Sequence, residues 1–249
     1  MQRLLTVLSL FLCLGCCASA VAQTKAVKSN HPTSLNISVK KTTYLPAEPV
    51  EMTVALRNNR ERPIKGDFYV DSRVKVFYRK VGGEFTRYFP RWMQLTNRKD
   101  GVSLSPQLEI AARGQQEGNR ALIYDTSNKR YVLDAPGEYE IKATFDLGEG
   151  YESNIIRLTV VEPPAEERPA LSALRDATLA SFIEGDLRSD LVEDEEIEEG
   201  AEKAATFLLN YPASHYAPLV KEMLLDILKD AESGGKLTAK MKLIRDTTP

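Results

Sequence analysis

Hydrophobic and polar residues alternate along the chain from Leu35 to about Glu162. A period of two places successive side chains on opposite faces of a β-strand, so this pattern predicts strands that are buried on one face. Turn residues interrupt the alternation, and Gly82-Gly83 predicts a tight hairpin. The predicted strands cover residues 35–39, 50–56, 74–78, 85–92, 121–124, 139–145 and 154–161. Short strands without an intervening helical pattern are typical of an all-β sandwich or barrel.

The periodicity changes after a proline-rich segment. Residues 163–170 contain three prolines, and we interpret them as a linker because proline cannot donate a backbone hydrogen bond to a strand or helix. Beyond this linker, apolar residues recur at helical spacing. We predict helices over residues 171–185, 191–209 and 214–233, with Ser214 as the N-cap of the third, and a short fourth helix through Met241 and Ile244. The predicted fold class is therefore multidomain, with an all-β domain at 34–162 and a small all-α domain at 171–246.

The first 22 residues have the three parts of a secretory signal peptide. Arg3 provides a positive start, an apolar stretch follows, and Ala20-Val21-Ala22 forms a cleavage site. The alternatives are an uncleaved anchor and a lipoprotein acylated at Cys16 or Cys17, although Cys16 lacks the usual leucine three residues upstream. All three cysteines lie in this segment, so the mature protein is expected to have no disulfide and no thiol chemistry. Residues 23–33 have no periodicity and are predicted to be a flexible lead-in.

Composition limits the class of protein. The chain has 249 residues, of which 43% are hydrophobic and 27% charged, which excludes collagen, a coiled coil and wholesale disorder. The net charge of −2 is unevenly distributed along the chain. Residues 23–162 include 22 basic and 17 acidic residues, whereas residues 163–249 include 10 basic and 18 acidic ones. We therefore expect the two oppositely charged parts to attract each other or neighbouring copies.

Residues 73–99 contain eight basic residues and one acid, with six aromatic residues interspersed among them. Strand alternation places Lys75, Phe77 and Arg79 on one face, and Phe85, Arg87 and Phe89 on one face of the returning strand. If these faces coincide, they form a basic and aromatic surface. The candidate contact residues are Arg79, Arg87, Arg91 and Trp92, because arginines and large aromatics anchor interfaces. The alternative is an ordinary solvated face whose cations discourage edge-to-edge association.

Two segments of the β region resemble immunoglobulin-like sandwiches. LDAPGEY, residues 133–139, is similar to the tyrosine corner, in which Tyr139 would hydrogen-bond back across a turn. YLPAEPVEMTVALRNN, residues 44–59, resembles the first hairpin of bacterial immunoglobulin-like domains, including the intracellular proteinase inhibitor-like ones. The resemblance implies a sandwich fold over about half the chain and no particular activity.

Residues 200–228 resemble a tetratricopeptide-like hairpin of bacterial envelope proteins. The matching residues are Phe207, Leu208, Tyr211, Pro212, Ser214, Tyr216, Ala217 and Pro218. No second copy follows at the 34-residue period of such repeats. The resemblance implies a concave contact face near Tyr211 and Tyr216, which we add to the candidate interaction surface.

Residues that could carry catalysis are scarce. Of the two histidines, His31 lies in the lead-in, and His215 is interpreted as a helix-end or surface residue. No zinc-protease, nucleophile-elbow, phosphate-loop or dinucleotide motif is present. The acidic run at residues 193–199 lacks the spacing of a calcium loop and is interpreted as a solvated helix start.

These observations predict an exported, non-catalytic protein-interaction module of the bacterial envelope or extracellular space. Its expected partner is another protein, with no catalytic, cofactor or metal site, no nucleic acid and no membrane span after cleavage. Two alternatives remain open. The first is a binder of anionic polysaccharide or lipid headgroups, and the second is a hydrolase that uses paired carboxylates.

Overall fold

The computed structural model describes residues 32–67, 74–90, 107–146, 150–185 and 193–248. The strands within these ranges are β1 (Thr33–Val39), β2 (Thr43–Tyr44), β3 (Val50–Asn58), β4 (Ile64–Asp67), β5 (Val74–Lys80), β6 (Thr86–Arg87), β7 (Gln107–Ile110), β8 (Gln115–Leu122), β9 (Tyr124–Asp125), β10 (Arg130–Tyr131), β11 (Gly137–Asp146), β12 (Gly150–Glu152) and β13 (Ile156–Val160). A short 3₁₀-helix (Ala165–Glu167) precedes α1 (Arg168–Leu174), α2 (Ala177–Ile183), α3 (Asp194–Asn210), α4 (Ala217–Ser233) and α5 (Ala239–Thr247). Strands therefore precede helices, as the periodicity predicts.

The strands of the described ranges form two larger sheets and two small ones. One larger sheet has the order β1-β3-β8, and the other has the order β2-β13-β11-β5-β6, with β12 also paired to β11. The small sheets are β4-β7 and β9-β10. The chain leaves the first sheet after β1 and joins the second at β2, which runs parallel to β13.

The two larger sheets share one hydrophobic cluster. Burial alternates along β3 and β5 as the sequence pattern predicts, with Val50 and Leu56 fully buried in β3 and Val74 in β5. The cluster also includes Leu35, Ile37, Met52, Val54, Val76, Ile141, Phe145 and Leu158. Each fully buried side chain of this kind contributes about 1.5–3 kcal/mol by leaving water, so the cluster is a main source of stability.

The predicted contact of Tyr139 is present. Its hydroxyl lies 2.5 Å from Asp134 Oδ1, to which it donates, and 3.2 Å from the Ala135 N–H, from which it accepts. Burial raises the pKa of Tyr139 to about 12, so the hydroxyl stays protonated and can donate. The contact fixes the turn that leads into β11.

The predicted linker and the first predicted helix differ from the structure. Residues 165–167 of the linker are helical, and α1 begins at Arg168 because Pro169 lies in its first turn, where a missing N–H breaks no helical bond. The helix predicted over residues 171–185 is two helices. Asp176 separates them, since its carboxylate accepts from the N–H groups of Thr178 and Leu179, both 3.0 Å away, and caps α2.

The start of α4 also differs from the prediction. The helix begins at Ala217 with Tyr216 in the N-cap position, and Pro218 lies in its first turn. Ser214 belongs to the preceding turn, where its hydroxyl accepts from the Tyr216 N–H at 3.2 Å. No helix within the described ranges has the length and apolar character that a membrane-spanning segment needs.

Candidate binding surface

The β5–β6 hairpin brings the two predicted basic and aromatic faces together. Gly82 has a φ of +92°, which favours glycine, and the Gly83 N–H donates to the Lys80 carbonyl at 2.9 Å to close the turn. The register pairs Phe77 with Arg87 and Tyr78 with Thr86. The two outward faces therefore coincide on one side of the sheet.

Two neighbouring strands extend this surface. In β11, Lys142 pairs with Phe77 and Glu140 pairs with Arg79, while Arg157 of β13 pairs with Glu140. Cationic and aromatic side chains thus alternate both along and across the strands. We call this surface the basic–aromatic face, and it comprises Lys75, Phe77, Arg79, Phe85, Arg87, Phe89, Glu140, Lys142 and Arg157.

Three of the five cations of the basic–aromatic face lie over its rings. Arg79 Cζ is 4.2 Å from the Phe85 ring centroid, and Arg87 Cζ is 4.5 Å from that of Phe89. Lys142 Nζ is 4.9 Å from the Phe85 centroid. Such contacts are worth about 0.5–1 kcal/mol each at exposed sites, and they hold the charged groups above the sheet.

Glu140 organises the centre of the face. Its Oε2 accepts from Arg79 Nε and Nη2 at 2.8 and 2.6 Å, and its Oε1 accepts from Arg157 Nε at 3.0 Å. The hydrogen bonds from Arg79, followed by those from Arg157, lower the pKa of Glu140 against the opposing effect of burial. The carboxylate stays ionised and fixes both guanidinium groups.

The remaining charges leave the face basic. Lys142 pairs with Glu152 at 2.8 Å, so two carboxylates accompany five cations. Arg87 Nε is buried and has no hydrogen-bond partner among the described residues. The predicted contact residues Arg91 and Trp92 lie outside the described residues.

The second predicted contact surface, near Tyr211 and Tyr216, is only partly accessible in the structure. Tyr211 is half-buried and packs on Phe207, with 5.2 Å between the ring centroids. It lines a shallow groove of about 460 Å³ beside Asp176 and Lys203. Tyr216 is only 1% exposed, because it packs in the hydrophobic cluster around the helices, where its hydroxyl donates to the Pro46 carbonyl at 2.8 Å. An external partner therefore cannot reach it.

Tyr216 belongs to a junction between sheets and helices. Ala47, Ile123 and Tyr131 from the β region lie in the same hydrophobic cluster as the buried faces of the helices. The Tyr131 hydroxyl donates to the Leu174 carbonyl at 2.7 Å. Burial raises the pKa of Tyr216 to about 12, so this hydroxyl remains a donor. No sequence pattern reveals these pairings, because the partners are far apart along the chain.

His215 lies at the edge of the same junction. Its Nε2 is 2.6 Å from Glu48 Oε1, and its side chain is 48% exposed, in line with the surface position expected for it. Burial opposes ionisation of Glu48, but hydrogen bonds from Lys41, the Leu45 N–H and His215 lower its pKa. In the part of the chain that the structure describes, no three His, Cys, Asp or Glu side chains converge as a metal site.

Comparisons with known proteins assign no family. No protein-family model matches the chain, and no curated protein matches it. Among solved structures, the sporulation control protein Spo0M of Bacillus subtilis aligns with 59% of this chain and 56% of its own, at 13% identity and a TM-score of 0.33. The CARDB domain of PF1109 from Pyrococcus furiosus aligns with 53% of this chain and 94% of its own, at 11% identity and a TM-score of 0.30. The chain thus spans just over half the length of Spo0M, and similarities at these TM-scores identify neither family nor activity.

Proposed function

We propose that this chain is an exported, non-catalytic protein-binding module of the bacterial envelope or extracellular space. Its β region is proposed to be an immunoglobulin-like sandwich, and its α3–α4 pair a tetratricopeptide-like hairpin. The basic–aromatic face is proposed to contact an acidic surface of a partner protein. The observation that carries the proposal is the register of β5, β6, β11 and β13, which gathers five cations and three phenylalanine rings on one sheet face.

The arrangement of the rings favours contacts through charge. Guanidinium and ammonium groups lie over Phe77, Phe85 and Phe89, so these rings are not free to stack on a sugar. The groups presented outward are hydrogen-bond donors with a positive charge, and guanidinium matches carboxylate geometry. Because Glu140 holds Arg79 and Arg157 in place, little side-chain freedom remains to be lost on binding.

The test measures binding of labelled poly-glutamate to the mature protein by fluorescence anisotropy. Changing Lys75 and Arg87 together to glutamine should weaken binding about tenfold, since each exposed ion pair is worth about 0.2–1 kcal/mol. The matched control changes Lys221 and Lys229, two exposed lysines of α4, to glutamine and should leave binding within about twofold.

Parallel titrations with heparin and with anionic lipid vesicles separate the alternatives. Preferential binding of poly-glutamate that weakens with salt supports an acidic protein partner. Heparin or vesicle binding without poly-glutamate binding would favour a polysaccharide or lipid ligand. Equal losses in the face variant and the α4 control would contradict the assignment of the face.

A further inference from the structure

Among the described residues, one edge of β13 is open over a short stretch. On one side β13 pairs with β11, and on the other it pairs with β2 only at Thr159 and Val160. The Thr159 N–H donates to the Thr42 carbonyl at 2.8 Å, so Thr159 directs its backbone groups away from β11. Arg157, two residues earlier in the strand, has the same orientation. Its N–H and C=O therefore point away from β11, and no backbone bond outside the strand ladders reaches them among the described residues.

Strand β1 borders the same opening from the other sheet. The Ile37 N–H donates to Asn154 Oδ1 at 2.8 Å, and Asn154 Nδ2 donates to the Ile37 carbonyl at 3.0 Å. The Asn154 side chain therefore takes the place of a neighbouring strand and closes one end of the opening. Val39, two residues further along β1, presents its backbone in the same direction.

A groove of about 440 Å³ lies between these edges. It is lined by Ser38, Val39, Thr42, Glu140, Ile155, Ile156 and Arg157. Ile155 is 46% exposed although it is apolar, and the Arg157 side chain is 78% exposed. The groove thus combines backbone groups that point away from their own ladders within the described residues, apolar contact area and a guanidinium group.

The boundaries of the groove set the length of its occupant. The Asn154 contact closes one end and the Thr42–Thr159 bond closes the other. At about 3.3 Å per residue, the five steps from Asn154 to Thr159 span roughly 17 Å. An open strand edge usually invites uncontrolled association, and here both ends are blocked. The opening therefore suits four or five residues of extended chain.

We propose that this groove binds an extended acidic segment of the partner protein by strand addition to β13. The inference rests on the proposed function, because the groove shares Arg157 and Glu140 with the basic–aromatic face. Alternate side chains of an added strand point to opposite faces. Apolar side chains of the segment would contact Val39 and Ile156, and acidic ones would contact Arg157. A polypeptide backbone supplies the complementary donors and acceptors, and the cations of the adjoining face select acidic side chains.

The experiment titrates an acetylated hexapeptide of alternating valine and glutamate, whose central four residues would occupy the opening, into the ¹⁵N-labelled mature protein. Strand addition predicts shifts and slowed hydrogen exchange at the Arg157 and Val39 amides. A peptide with the same side chains but with alternate backbone nitrogens methylated should bind at least tenfold more weakly. Arg157→Gln should weaken binding of the unmethylated peptide roughly fivefold, whereas Arg168→Gln, at an exposed position in α1, should not.

The outcomes separate this inference from the proposed function. If both peptides bind equally and the Arg157 amide does not respond, strand addition is wrong, while poly-glutamate binding by the face can still hold. Absence of hexapeptide binding also overturns strand addition. If the hexapeptide binds in the groove but the Lys75 and Arg87 double variant binds poly-glutamate like the native protein, the groove stands and the face assignment fails.

Discussion

Replacing Tyr216 by phenylalanine tests whether sheets and helices unfold as one unit. The change removes only the buried hydroxyl that donates to the Pro46 carbonyl at 2.8 Å. Such a hydrogen bond contributes about 0.5–1.5 kcal/mol, and a buried carbonyl left without a donor can raise the loss to about 3 kcal/mol. We expect the free energy of unfolding to fall by about 1–3 kcal/mol, with Tm lowered by roughly 2–4 °C for each kcal/mol in a chain of this size.

The matched control is Tyr211→Phe. The Tyr211 ring is half-buried, and its hydroxyl has no hydrogen-bond partner among the described residues, so the loss should stay within about 0.5 kcal/mol. Urea unfolding followed by circular dichroism gives the free energies. Hydrogen exchange should rise in Tyr216→Phe both around Pro46 and in α4, since the lost contact joins these two segments.

Two results would refute this reasoning. The first is a Tyr216→Phe variant as stable as Tyr211→Phe, which would mean that the hydroxyl contact contributes nothing. The second is faster exchange confined to the helices, which would mean that the shared cluster does not couple the helices to the β region.

Three further substitutions test other contacts. Asp176→Ala removes the cap of α2 and the ion pair with Lys203, and thermal melts should show that the free energy of unfolding falls by about 1–2 kcal/mol. Asp176→Asn keeps the cap and should lose at most about half as much stability. Equal losses in the two variants would contradict the cap. The pKa of Glu140 is lowered in the folded state, so its stabilisation is complete above its ordinary pKa of 4.5 and is lost as the pH falls through the lower folded value. In Glu140→Gln, the urea midpoint of unfolding should therefore decrease less steeply below about pH 4.5 than in the native protein. The same dependence on pH in both proteins would argue against the arginine contacts. Gly82→Ala should lower the free energy of unfolding in urea titrations by about 1 kcal/mol, because Gly82 has a positive φ. Gly150→Ala should lower it by less than about 0.5 kcal/mol. Similar losses in the two variants would disprove the turn conformation.

Local patterns predict much of the β region. The alternation in β3 and β5, the Gly82-Gly83 hairpin and the Tyr139 contact follow from residue type and spacing. Strand β8 is missed by this reasoning, because all its residues except Leu122 are at least partly exposed and its polar sequence has no hydrophobic alternation. Backbone pairing with β3 alone makes it a strand.

The features that local patterns do not predict depend on contacts between residues that are distant in the sequence. An aromatic residue in a helix-turn phrase favours an exposed contact role for Tyr216, yet docking on Pro46 buries it. In the same way, the role of Asn154 depends on Ile37, which is 117 residues away in the sequence. For the basic–aromatic face, alternation predicts the members from β5 and β6, whereas Lys142 and Arg157 join it only through sheet order.

Carbodiimide crosslinking with poly-glutamate is the most direct test of the basic–aromatic face, because the reagent joins carboxylates to lysine amines in contact with them. Mass spectrometric mapping should place the crosslinks at Lys75 and Lys142, and high salt should remove them. Crosslinks distributed evenly over exposed lysines such as Lys221 and Lys229, or concentrated in the helices, would contradict the proposed surface.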